Sequence, residues 1–224
     1  MEQIKKVHDQ MIRTWITDVS VLYKDDLYEQ YYRTVPEFRQ RKADRIKVKE
    51  DKALSIGAWV LYQEALKQCK EAKDSIFNLS HSGKYALCTV VCGEKDVKAG
   101  CDIEEIKKFH EKIVQKYFCN SEKEYILSKE TDEQRREVFY RYWVLKESFA
   151  KATRYGMKIG IDSYEIRCTE EEAILINQPD YIKEKYYFRE YKMDIPYKIA
   201  VCATSNNFAE NIEIIDLKDK KEER

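Results

Sequence analysis

The sequence predicts an α+β protein of two similar halves in pseudo-twofold arrangement, and three observations carry that expectation. Strand-like and helix-like stretches come in blocks rather than in βαβ alternation. The order "helices, then antiparallel-looking strands" occurs twice, with the join near residue 105. No period of 20–50 residues appears that would indicate a solenoid or propeller. The halves are expected at 1–104 and 105–218, followed by a charged tail at 219–224.

The elements follow from local pattern. Residues 15–23 (WITDVSVLY) read as a first strand and 25–33 as a short helix. The basic stretch 39–49 leads into a helix at 51–68, where Ala53, Leu54, Ala58, Leu61, Ala65 and Leu66 recur at helical spacing. Strands follow at 84–92 and 97–104. The second half opens with a helix at 107–118 and a long one at 132–154. On the long helix Val138, Tyr142, Leu145 and Phe149 form an apolar stripe, which Phe139, Trp143 and Ala150 widen. Strands are then expected near 163–168, 173–177, 185–192, 197–203 and 211–216.

Composition narrows the class of function. Lys plus Arg and Asp plus Glu both number 41, so no global field favours nucleic acid or a membrane surface. Residues 39–49 hold six basic side chains but no interleaved stacking aromatics, which argues against nucleic-acid binding. No run approaches a membrane span, and MEQIKKVHDQMIRTW lacks the apolar core of a signal peptide. The seven cysteines include no CxxC pair; Cys88 and Cys92, in an apolar run, are expected as buried reduced thiols in a cytoplasmic protein without zinc. The six glycines match no phosphate-cradling loop, so phosphate would be bound by side chains and helix ends.

Four segments can carry chemistry. In Gly100-Cys101-Asp102-Ile103-Glu104, Asp102 and Glu104 share one strand face: either a solvated face or two oxygen ligands for a hard cation. On the long helix, Glu147 lies at the edge of the apolar arc and can pair with Lys151 at i,i+4 on a surface. Lys146 falls inside the arc, where a lysine must snorkel or find an anion. A carboxylate between two lysines also suits a metal–phosphate site. Asn78-Leu79-Ser80-His81-Ser82-Gly83 offers hydroxyls and an imidazole beside a turn, structural unless combined with the rest. Ser121-Glu122-Lys123-Glu124-Tyr125 reads as a solvated helix cap.

Taken in order, FNLSHSG, GCDIEEI, SEKEY and WVLKESFAK resemble the signature series of the 4′-phosphopantetheinyl transferases, Sfp-like type. The pattern extends over residues 36–203. The resemblance implies two α+β halves with coenzyme A in the cleft between them. It implies a magnesium ion held by Asp102, Glu104 and Glu147, and Glu124 as general base on a carrier-protein serine. Lys146 and Lys151 would grip the pyrophosphate and assist departure of 3′,5′-ADP. Ser80 and His81 would contact phosphate, with Arg41 and Ser55 nearby contacts to coenzyme A. The implied partner is an apo acyl or peptidyl carrier protein, and a site completed within one chain implies a monomer. In one departure, Lys67–Ile76 lacks the family's Gly-Lys-Pro segment, so a lysine contact to coenzyme A is either missing or replaced by Lys70 or Lys73. An inactive coenzyme A or nucleotide binder is the alternative, against which stand Asp102, Glu104, Glu147 and Lys146.

Overall fold

The computed structural model describes residues 11–69 and 76–218. Lys70, Lys73 and the tail at 219–224 lie outside the described residues. The chain divides into two compact units, one reaching to Lys95 and resuming at Ala209, the other Asp96–Phe208.

The first unit opens with β1 (Met11–Asp18) and a short 3₁₀ turn, Val19–Tyr23. Helices α1 (Asp25–Tyr32), α2 (Glu37–Asp44) and α3 (Lys49–Gln68) follow. Next comes a hairpin of β2 (Phe77–Ser82) and β3 (Tyr85–Cys92). Its tight turn places Gly83 at φ 55°, a backbone region that glycine enters without steric cost. One face of α3, with Leu54, Ala58, Leu61 and Ala65, packs on Trp15, Ala86, Cys88 and Val90. Another face buries Ile56 and Val60 against Tyr31, Val35 and Ala43 from α1, α2 and the loop between them.

The second unit begins with β4 (Ala99–Glu105). Helices α4 (Glu111–Tyr117), α5 (Asn120–Leu127) and α6 (Asp132–Ala152) come next. The strands are β5 (Glu165–Cys168), β6 (Ala173–Asn177), β7 (Tyr187–Glu190) and β8 (Tyr197–Ala203). One sheet runs β4-β8-β7 and the β5–β6 hairpin stands as a second. Helix α6 lies across β4 and β8 and starts at a capping box, with the Thr131 hydroxyl accepting from the Gln134 backbone and the Gln134 side chain returning to Thr131. Of the expected stripe, Phe139, Tyr142, Leu145, Phe149 and Ala150 are buried, while Val138 and Trp143 pack at its margin.

The chain then returns to the first unit as β9 (Glu213–Ile214), parallel to β1, giving the sheet order β2-β3-β1-β9. A division after Glu104 would thus fall inside β4, and residues 209–218 group with the first unit rather than the second. Among the described residues no helix is long and apolar enough to cross a membrane.

Three sequence expectations need correcting. Phe77–Ser82 is itself a strand, because Phe77 and Leu79 alternate with polar residues on an edge. Residues 120–127 form a helix of their own rather than only a cap. Cys92 is not a reduced thiol: it is disulfide-bonded to Cys69, with Cα atoms 5.7 Å apart, while Cys88 is a buried thiol outside that bond. Cysteine usage therefore no longer argues for a reducing compartment.

Candidate active site

The site grows from one close backbone contact in the second unit. A Cβ on Gly100 would stand 2.3 Å from the Ala152 nitrogen, 2.4 Å from the Ser148 oxygen and 2.8 Å from the Lys151 carbonyl carbon. Only a residue without a side chain lets β4 lie this close to the last turns of α6. Two residues along, on the same strand face, Asp102 is carried against the helix.

Asp102 is 3% exposed, and its Oδ1 accepts from the Lys151 ammonium at 2.6 Å. Lys151 also donates to the Cys101 carbonyl at 3.2 Å. Burial works against the ammonium, yet the Asp102 charge, ahead of Glu147, holds the lysine above its ordinary range. One helical turn earlier stands Glu147, half-buried. Its carboxyl is pushed upward by burial and by the Asp102 charge, with Lys151 partly offsetting both. Two carboxylates and one lysine thus share a confined space, and a hard cation would relieve their mutual repulsion.

Glu104 continues the same face of β4, half-buried. Among the described residues, no three His, Cys, Asp or Glu side chains form a metal-holding cluster. Of the expected set, Asp102 and Glu147 are electrostatically coupled, and Glu104 stands two residues from Asp102 on the same strand face. The coupled pair fits magnesium, which takes one or two carboxylates and completes its octahedron with water and substrate phosphate.

Lys146 stands apart from the other candidates. It is wholly buried, and its three N–H bonds are spent on the Ile161 carbonyl at 2.9 Å, the Tyr164 carbonyl at 2.8 Å and Glu122 Oε1 at 2.9 Å. No donor is left for a substrate phosphate. Glu122, 1% exposed, also accepts from the Ile166 and Cys119 backbone nitrogens at 2.9 and 3.0 Å. Glu124, to which the resemblance assigns the base role, is exposed two residues further along α5. The signal for Glu122 was present: Cys119-x-x-Glu122 has capping-box spacing at the start of a helix.

The remaining candidates lie in the first unit. Arg41 is exposed on α2 and pairs with Glu37 at 3.2 Å. Ser55 is buried on α3, and its Oγ has no hydrogen-bond partner among the described residues. Ser80 is buried while His81 is exposed, as strand alternation requires, so the two do not share one face of β2. A groove of about 800 Å³ between β6 and β7 contains none of the candidate residues.

Residues 98–202 match the model of the 4′-phosphopantetheinyl transferase superfamily. The chain is 34% identical over 158 residues to 4′-phosphopantetheinyl transferase Sfp of Bacillus subtilis (strain 168), spanning 70% of this chain and 68% of that protein. A second Bacillus subtilis 4′-phosphopantetheinyl transferase is 35% identical over 141 residues, 63% of this chain and 60% of the other. Among solved structures, a holo-(acyl-carrier-protein) synthase from Bacillus anthracis in complex with CoA (3′,5′-ADP) superposes with a TM-score of 0.40 at 18% identity. It covers 47% of this chain and 93% of that one.

Proposed function

The chain belongs to the 4′-phosphopantetheinyl transferase superfamily, and from that premise we propose that it moves the phosphopantetheine arm of coenzyme A onto a serine of an acyl or peptidyl carrier protein. The observation that carries this reading is the confined set of Asp102, Glu147 and Lys151 at the contact of β4 with α6. In-line displacement at a pyrophosphate needs charge neutralisation and positioning more than covalent help from the protein.

Asp102 and Glu147, with Glu104 as the third carboxylate that the resemblance implies, would hold magnesium. Bound there, the ion would neutralise the pyrophosphate and stabilise the charge that develops on the departing 3′,5′-ADP. Lys151, already charged and aimed by Asp102, supplies a cation to a phosphate oxygen. Glu147, whose charge is unfavourable where it stands, gains from any cation brought beside it. The nucleotide phosphates would fall to Arg41, Ser55, Ser80 and His81 by motif, of which Arg41 and His81 are exposed. Glu124, exposed on α5 and so accessible to an incoming carrier serine, would serve as the general base that the resemblance implies.

The test is incubation of the protein with coenzyme A, magnesium and a panel of unmodified fatty-acid, polyketide and peptide-synthase carriers. Mass spectrometry should show a phosphopantetheinyl adduct on at least one carrier serine. Binding of coenzyme A with no adduct on any carrier would instead establish an inactive relative.

A further inference from the structure

We propose that Lys146 and Glu122 form a buried positioning pair that sets the rotation of α6, so that Glu147 and Lys151 meet Asp102, and that Lys146 itself never touches substrate. The inference rests on the transferase reading for what is positioned, but not for the pair itself.

The bonds of the pair tie four segments together. Lys146 comes from α6, Glu122 from α5, and the two carbonyls it binds from the connection that leads into β5. Glu122 fastens the start of its own helix through the Cys119 nitrogen and the start of β5 through the Ile166 nitrogen. Tyr164 closes the arrangement: its carbonyl accepts from Lys146 Nζ, and its hydroxyl donates to the Lys146 carbonyl at 2.9 Å. The Lys146 ammonium also lies 4.4 Å from the centre of the Tyr164 ring. A charge this deep is tolerated only when every donor is matched, and here each one is.

Helix geometry transmits that anchoring. Successive residues are turned by about 100°, so fixing Lys146 inward fixes where Glu147 points. Lys151 lies four residues beyond Glu147, on the same side of the helix. A rotation of α6 that freed Lys146 would swing both residues away from Asp102. The lysine of the Trp143-x-x-Lys146-Glu147 motif thus acts through the glutamate that follows it.

Two measurements test this. In the first, the native wild-type protein is treated with an amine-acylating reagent, with and without coenzyme A, and modified lysines are located by peptide mass spectrometry. Lys146 should stay unmodified in both samples and react only after denaturation, whereas Lys151 should react and be protected by coenzyme A. Modification of Lys146 in the native protein, protected or not, would overturn the proposal. Lack of protection at Lys151 would count against the transferase reading and leave the pair intact. The second is a double-mutant cycle on kcat with Glu122→Gln and Lys146→Met. Each should lower kcat by roughly tenfold or more, and the double variant should be no slower than the worse single one. If Lys146 instead served substrate directly, its loss would be as costly in the Glu122→Gln background as in wild type. The labelling arm needs no variant, so a misfolded mutant does not shelter the idea.

Discussion

Glu147→Gln is expected to lower transfer by roughly 10²–10³-fold while leaving the folded protein as stable as before or more so. The opposed signs follow from one cause. Burial and the Asp102 charge hold the Glu147 carboxyl above its ordinary range, so the ionised side chain is a liability to the apo fold. Glutamine keeps the shape, removes the repulsion and gives up the oxygen charge that a divalent cation requires. The pH dependence has a definite sign. A carboxyl raised in the folded state contributes stability below its unfolded pKa, and that contribution is lost as pH rises through the folded value. Without divalent ions, wild type should therefore lose stability as pH climbs through and just above the usual glutamate range. The Gln variant should lack that loss, and added magnesium should reduce it in wild type. Thermal melts across pH, with and without magnesium, read this out. A variant that transfers at the wild-type rate would remove Glu147 from the site.

Gly100→Ala is expected to be among the most destabilising single changes in the second unit, by about 3 kcal/mol or more. The added methyl would meet backbone atoms of Ser148, Lys151 and Ala152 at 2.3–2.8 Å, and backbone cannot step aside as a side-chain tip can. To relieve the clash, β4 must lift from α6. That separates Asp102 from Lys151, so activity should fall even at temperatures where the variant remains folded. Denaturant unfolding measures the first effect and coenzyme A titration the second. An alanine variant with unchanged unfolding midpoint and affinity would show that the close packing of β4 on α6 is not required.

Sequence alone carried some of these elements well and others not at all, for identifiable reasons. Helix α6 was legible because Tyr142, Leu145 and Phe149 repeat at helical spacing beneath a charged face. Strands β3 and β8 were legible as apolar runs of β-forming residues. Strand β2 was obscured because a polar edge strand and a phosphate-binding turn draw on the same asparagine, serine and histidine. The pairing of β1 with β9, which joins Trp15 to Glu213, has no local signature. Neither has the bond between Cys69 and Cys92.

The candidate site divides in the same way. Alternation put Asp102 and Glu104 on one strand face without showing that the face meets the helix, and i,i+4 spacing put Glu147 beside Lys151. The apolar arc around Lys146 showed that the lysine must snorkel or find an anion. What the pattern did not show is that the protein supplies that anion from α5, through Glu122. A buried cation and a substrate-binding cation look alike in sequence, because both are lysines set among aromatics. Only the inventory of its three hydrogen bonds separates them.

The proposed reaction centre is the acid pair beside Lys151. It is tested most directly by comparing phosphopantetheinyl transfer to one unmodified carrier protein by wild type and by Asp102→Asn, with magnesium and saturating coenzyme A. Asparagine keeps the size of the side chain and an oxygen for the Lys151 ammonium, so the fold should survive. Rapid modification by wild type is expected, with a loss of roughly 10²-fold or more in the variant at equal thermal stability. Equal rates for the two proteins would contradict that assignment.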